Sequence, residues 1–276
     1  MVSPPALFDI TTRARHRARA KALGVADFLH RAAALLLQER LEDVNKSFTK
    51  TAFVGWLPEA WAEGVAPDTV VADDEILALP EGEYDLAVHG LCLHSANDPV
   101  GQLVQMRRAL KPDGLLLAAL FGGQTLHELR FALAQAESEI EGGLSPRVVP
   151  MGDVRDLGAL LQRAGLALPV ADATVLTVTY ETPLHLMRDL RAMGEANALA
   201  ARRKAPLRRA TLMRALEIYR QEFALPDGRI PATFEIIYLT GWAPSETQPK
   251  PLRPGSATAR LAEALGTTEY KEPLDD

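Results

Sequence analysis

The chain has 276 residues, 47% of them hydrophobic and 24% charged, an ordinary globular balance in a chain long enough to bury a core without staples. Its one cysteine, Cys92, rules out an internal disulfide, argues against a cysteine-based metal site and fits a reducing cytoplasm, the location expected here. A net charge of -6 argues against a nucleic-acid partner, and no run reaches the ~20 apolar residues that span a bilayer, so no transmembrane segment is expected.

Residues 1–10 lack the basic start and apolar run of a secretory signal. Arg13, Arg15, Arg17, Arg19 and Lys21 give residues 11–22 a local positive field. A solvated first helix is the plain reading; a transit-peptide-like start or a contact with an acidic surface are the others. Asp27 is placed to cap a helix running to about Asp43, with Phe28, Leu35, Leu36 and Val44 on its apolar face. Short buried strands follow at 51–55 (TAFVG) and 70–72, the second running into Asp73-Asp74-Glu75. Residues 84–89 (YDLAVH) read as a buried strand and 100–110 as a helix started by Pro99 and stopped by Lys111-Pro112-Asp113-Gly114. The strongest strand pattern is 114–121, entering Gly122-Gly123 and a helix over 124–140 that Gln124 or Thr125 is placed to cap. After a Gly- and Pro-rich loop come a helix at 153–164, a strand at 174–180, helical patterns at 184–193 and 207–223, and a strand at 233–239.

Alternating strands and helices predict an α/β fold: a mostly parallel, Rossmann-like sheet with helices on both faces and a helical insertion over the cleft. The organisation expected is an N-terminal helical segment (1–45), a core (46–182), a helical insertion (183–230), a closing strand (231–243) and an extended tail (244–276). Ligands of such sheets bind at the carboxyl ends of the strands. That places Gly55, Asp73, His89, Gly90 and Gly122-Gly123 along one rim.

The stretch ADDEILALPEGEYDLAVHGLCLHSANDP at 72–99 resembles the third- and fourth-strand region of class I S-adenosylmethionine methyltransferases, and LKPDG at 110–114 resembles the turn before their fifth strand. FGGQTLHELR (121–130), AESEIEGGLSP (136–146), MRDLRAMGEANA (187–198) and ATFEIIYLTGW (232–242) are similar to one branch, the methyltransferase-like assembly factors of respiratory complex I. In mitochondria that branch is implicated in arginine hydroxylation; malonyl-carrier-protein methyltransferases are more distant cousins. The resemblance covers roughly residues 5 to 260. It implies a last strand antiparallel to the rest, S-adenosylmethionine as cofactor and a protein partner, a respiratory complex subunit.

The chain departs from the family at the first strand. There the family has Gly-x-Gly-x-Gly, because a Cβ would keep the backbone from the cofactor. Here Phe53-Val54-Gly55-Trp56-Leu57-Pro58 keeps one glycine, followed by an indole and a proline. Only fourteen residues, 56–69, separate the first strand from Val70. One crossover with its helix takes ~10–12. The spacing therefore predicts one short helix near 58–63 and the loss of the family's second strand, whose terminal acid grips the cofactor ribose. In an alternative alignment Asp73, 18 residues after Gly55, supplies that acid.

The candidate cofactor residues are Gly55, Asp73, Asp74, His89, Gly90 and Gly122. His94 matches the Leu-His of the family's loop after the fourth strand and is the candidate general acid or base. His89, His94 and Asp98 lack a recognised ligand pattern, and no metal is predicted. Arg130 is a candidate for the substrate-cleft wall, and Arg188, Arg191, Glu195 and Asn197 for a substrate or partner surface on the insertion. Arg202, Arg203, Lys204, Arg208 and Arg209 form a further basic cluster, and Cys92 reads as a small buried hydrophobe.

Three functional readings follow. The first is a methyltransferase-fold protein with an impaired cofactor site, acting in respiratory complex assembly or as a protein-binding scaffold. The second is an active S-adenosylmethionine-dependent methyltransferase or protein-arginine hydroxylase with a remodelled pocket. The third is a binder of another small ligand in the vacated cleft.

Overall fold

The computed structural model describes residues 6–248. Residues 6–244 form one compact unit, described here; from residue 249 the tail expected at 244–276 lies outside the described residues. Two helices open the chain, α1 (Ile10–Leu23) and α2 (Phe28–Glu42). Asp9 starts α1 by accepting the Thr12 N–H at 2.9 Å, and Gly24, at φ +87°, ends it. Asp27 makes no capping bond to α2; its carboxylate takes the Arg31 side chain instead.

The strands are β1 (Thr51–Val54), β2 (Thr69–Val71), β3 (Tyr84–Gly90), β4 (Leu110–Phe121), β5 (Ala167–Tyr180) and β6 (Ile230–Trp242). They form a sheet of order β2-β1-β3-β4-β6-β5. β2, β1, β3 and β4 run parallel, and β6, the last strand, runs antiparallel to both its neighbours. The link from β1 to β2 holds only a 3-10 turn at Pro58–Ala60 and the four-residue helix α3 (Ala62–Val65). That short crossover lets β2 pair directly with β1, Phe53 opposite Val70, and brings the end of β2, two residues before Asp73, to Gly55, whose N–H donates to the Val71 carbonyl at 3.1 Å.

Residues alternate between two cores, as a pleated sheet covered on both faces requires. Phe53, Leu86, Val88, Leu117, Ala119 and Phe234 face α2, α3, α5 (His127–Glu141), α7 (Pro183–Ala192) and α8 (Arg209–Phe223). Ala52, Val54, Ala87, Leu116, Ala118 and Ile237 face α4 (Pro99–Ala109) and α6 (Val154–Arg163). Asp98, Asp153 and Thr182 cap α4, α6 and α7 through their side chains. Within the first core the buried Trp61 indole donates to His30 Nδ1 at 3.1 Å, so its polar atom enters the interior satisfied.

β4 and β6 run beyond the 114–121 and 233–239 expected, and two further elements differ for local reasons. β5 begins at Ala167, not 174, because Pro169 sits on an edge strand, where its missing N–H costs no ladder bond; the register shifts there, between Ala167 and Val170. α5 begins at His127 without a side-chain cap. Thr125 instead exchanges hydrogen bonds with the Glu235 backbone, its hydroxyl donating to the carbonyl and accepting from the N–H at 3.1 Å each.

Gly90 closes β3 where a Cβ would stand 2.4 Å from the Phe53 ring and 2.9 Å from Trp61, both fixed in the core. Gly90→Ala is expected to lower the unfolding free energy by about 1–3 kcal/mol. Gly143→Ala, with nothing within 4 Å of its Cβ, should stay within about 0.5 kcal/mol of native; urea unfolding of both checks the contrast.

Candidate functional site

The carboxyl ends of the parallel strands form one rim, and the chain fills it with its own side chains. Asp73, just past β2, is 3% exposed. Arg17, reaching from α1, donates through Nη1 to Asp73 Oδ1 at 2.5 Å and through Nη2 to Oδ2 at 2.9 Å. Arg13, one turn earlier, lies 3.3 Å from Oδ2 and also donates to the Ser95 carbonyl at 3.0 Å. Burial alone pushes the Asp73 carboxyl up, but the hydrogen bonds and charge of Arg17, with Arg13, outweigh it and hold it at about 2.

Trp56 follows Gly55 at the tip of β1, and its ring lies 5.4 Å below the Arg17 guanidinium. The far edge of the indole meets Gly194, where φ is +78° and a Cβ would stand 3.1 Å from the ring. Trp56 Nε1 is buried without a hydrogen-bond partner. Gly55 and Gly90 face Phe53 rather than open space, and Gly122 is backed by Glu235 and Ile237.

Beside the rim opens a cavity of about 280 Å³, lined mostly by apolar side chains including Phe8, Phe121, Leu133, Met187 and Phe234. Its polar lining includes Arg13, Arg17, Arg147 and Arg191 and one acid–histidine pair: His94 Nε2 lies 3.2 Å from Glu195 Oε2, their side chains 3% and 23% exposed. The His94 ring packs on Phe121, centroids 4.8 Å apart. Burial pushes the Glu195 carboxyl up, and the charge and hydrogen bond of His94, with the charge of Arg17, more than reverse it, leaving it lowered. Arg13 and Arg17 line this cavity too, so rim and cleft share a wall.

The sequence candidates divide accordingly. His94, Glu195, Arg191 and Asn197 line the cleft, Arg191 exposed at its edge. Asn197 donates to the carbonyls of Pro146 and Arg147 and so ties the insertion to the loop before α6. Arg188 is exposed on a neighbouring surface groove, outside the cleft. Arg130 is a brace: it donates to the carbonyls of Gly123 and Thr125. Asp74 is exposed on the outer side of α1, near Trp56. His89 does not reach the rim surface; it is fully buried behind Asp73, bonded to Gln102, which donates to the carbonyls of Asp73 and Asp74. Cys92 is buried, as expected, its thiol donating to the Gly90 carbonyl. Asp98 caps α4, and among the described residues no group of three or more His, Cys, Asp or Glu is placed to hold a metal ion.

Residues that the sequence reading did not assign to the site are Arg13 and Arg17. Their signal was present: arginines at i and i+4 in a helix with no acidic residue to pair with.

Burial holds His30 and His89 near 4, well below the usual imidazole value. The unfolded chain takes up these protons below about pH 6.5 and the folded chain does not, so this stability is complete above 6.5 and is lost as the pH falls toward 4. Between pH 7 and 5 the unfolding free energy should drop by about 2 kcal/mol per histidine. A His30→Gln, His89→Gln variant should lose that dependence in urea titrations, and an unchanged slope would contradict it.

Residues 9–118 match the family model of a methyltransferase domain. The human protein "Arginine-hydroxylase NDUFAF5, mitochondrial" is 45% identical over 222 residues, covering 80% of this chain and 64% of its own length. The malonyl-[acyl-carrier protein] O-methyltransferase of Halorhodospira halophila is 37% identical over 176 residues, covering 64% of this chain and 58% of its own. The chain thus spans less than two thirds of either relative. The YcgJ protein of Bacillus subtilis superposes with a TM-score of 0.49 at 13% identity, over 78% of this chain and 99% of that one. These matches support a place for the chain in a class I S-adenosylmethionine methyltransferase branch related to the arginine-hydroxylase relatives.

Proposed function

We propose that this protein is a cytoplasmic, protein-binding member of its branch that acts in assembly of a respiratory complex, with a cofactor site impaired by its own side chains. The observation that carries the reading is the Arg17–Asp73 pair seated over Trp56. A nucleoside cofactor at this rim needs a glycine turn that admits it and a free acid for its ribose hydroxyls. Here an indole follows the one glycine, and a guanidinium fork takes both oxygens of the acid. The residues present do not fit the group.

The adjoining cleft supports a peptide-binding role. The cavity is mostly apolar, which suits a long side chain, and Glu195, set among Arg13, Arg17, Arg147 and Arg191, is the one carboxylate on its wall that a cation could meet. The relatives' name, arginine-hydroxylase, makes an arginine-bearing segment of the partner the occupant proposed. The second reading, an active methyltransferase or protein-arginine hydroxylase, draws on one observation: the His94–Glu195 pair faces the cleft, where a proton acceptor would act.

Calorimetric titration with S-adenosylmethionine and S-adenosylhomocysteine separates the two. The proposal expects no heat up to millimolar ligand from protein shown to be folded. Micromolar binding that Asp73→Ala abolishes would overturn it and put the enzyme reading first.

A further inference from the structure

We infer that Arg17 is an internal competitor for the partner's arginine, so that the N-terminal helix occupies the recognition site until an incoming arginine segment displaces it. The inference rests on the reading of the cleft as an arginine site and extends that site past Arg17, on the cleft wall, to Asp73 and Trp56, which Arg17 contacts.

The contacts of Arg17 already make up a guanidinium site. Each of two terminal nitrogens faces one oxygen of Asp73, and the Trp56 ring lies beneath the plane. A carboxylate fork over an aromatic face selects a planar guanidinium over the point charge of an ammonium. Glu195, on the cleft wall that Arg17 shares, adds a second negative charge. An unpartnered donor stands in the same place: the buried Trp56 Nε1, which a backbone carbonyl of an incoming segment would satisfy.

The present occupant is held in a way that permits exchange. Within α1 only Ala20 is buried, so the helix is anchored by the segment just before it, where Phe8 is buried and bridges Leu199, and not along an apolar face of its own. Its other attachments are polar: Asp9 and Thr12 to Arg202, and His16 Nδ1 to the Ala196 carbonyl at 3.0 Å. Arg15 and Arg19, exposed at i and i+4, repel one another. The helix ends at Gly24, whose φ of +87° and empty surroundings suit a pivot. Being tethered, Arg17 acts at an effective concentration of order millimolar, so a separate peptide competes poorly while it remains.

The test uses the full chain and a neutral peptide of about ten residues bearing one arginine, with a lysine counterpart. Arg17→Gln should bind the arginine peptide at least about tenfold more tightly than native protein does, and the lysine peptide should gain less than about twofold. Adding Asp73→Asn to Arg17→Gln should erase the gain. Saturating native protein with the arginine peptide should speed hydrogen exchange in Ile10–Leu23 and leave β3 and β4 unchanged. Equal affinity in native and Arg17→Gln protein, or an equal gain for lysine, would overturn the inference. If Arg17→Gln fails to fold by circular dichroism, Arg17→Lys, which keeps the charge and loses the fork, should show the same selectivity at smaller size. A silent cofactor titration combined with no arginine gain would defeat this inference alone, whereas cofactor binding would defeat the reading beneath it.

Discussion

A carboxylate cannot be taken out of water unless something replaces the water, and Asp73 is almost wholly out of water. The arrangement of the rim follows from that requirement. Arg17 replaces the solvent with two charge-assisted hydrogen bonds, and Arg13 adds a third contact. With its pKa near 2 instead of near 4, Asp73 contributes on the order of 2 kcal/mol at neutral pH, lost as the pH falls through about 4 toward 2. Meeting that demand from inside the chain draws α1 across the rim and seats it on Trp56.

The demand arises from the shortened crossover. With only a 3-10 turn and α3 between them, β1 and β2 pair as neighbours, and the acid after β2 lands next to the turn after β1. In a sheet of this kind that is the place for a ligand. The indole of Trp56 and the guanidinium of Arg17 stand there instead, and the cleft beside them keeps its apolar walls and its His94–Glu195 pair. On the proposed reading, cofactor rim and substrate cleft have separate fates in this chain, because one depends on the glycine turn and the other on α5, α7 and the loop between α5 and α6.

Much of this was legible in the sequence because it was local. The apolar runs of β3 and β4, the stop at Lys111-Pro112-Asp113-Gly114 and the fourteen-residue gap each act over a few residues and leave a readable pattern. The gap left room for one short helix between the first two strands, and a 3-10 turn and α3 fill it, with β2 beside β1. His94 and Glu195 were picked out separately, on the loop after β3 and on the insertion, but nothing periodic joins residues 101 apart into a pair. The Arg17–Asp73 bond, spanning 56 residues, was illegible for the same reason. An arginine on a helix reads as solvated until the fold brings an acid to it. His89 and Arg130 misled in the opposite direction: a strand end suggested the rim for the first and a charged helix the cleft wall for the second, yet one sits behind Asp73 and the other braces a turn.

The central claim is that Arg17 and Asp73 act as one unit that closes the rim. A double-mutant cycle in urea, using Arg17→Gln, Asp73→Asn and the pair, measures that directly. Each single variant leaves a buried partner unsatisfied, so the account predicts a coupling of at least about 2 kcal/mol, the double variant costing far less than the sum. Costs that add to within about 0.5 kcal/mol would show two independent surface charges and contradict the account.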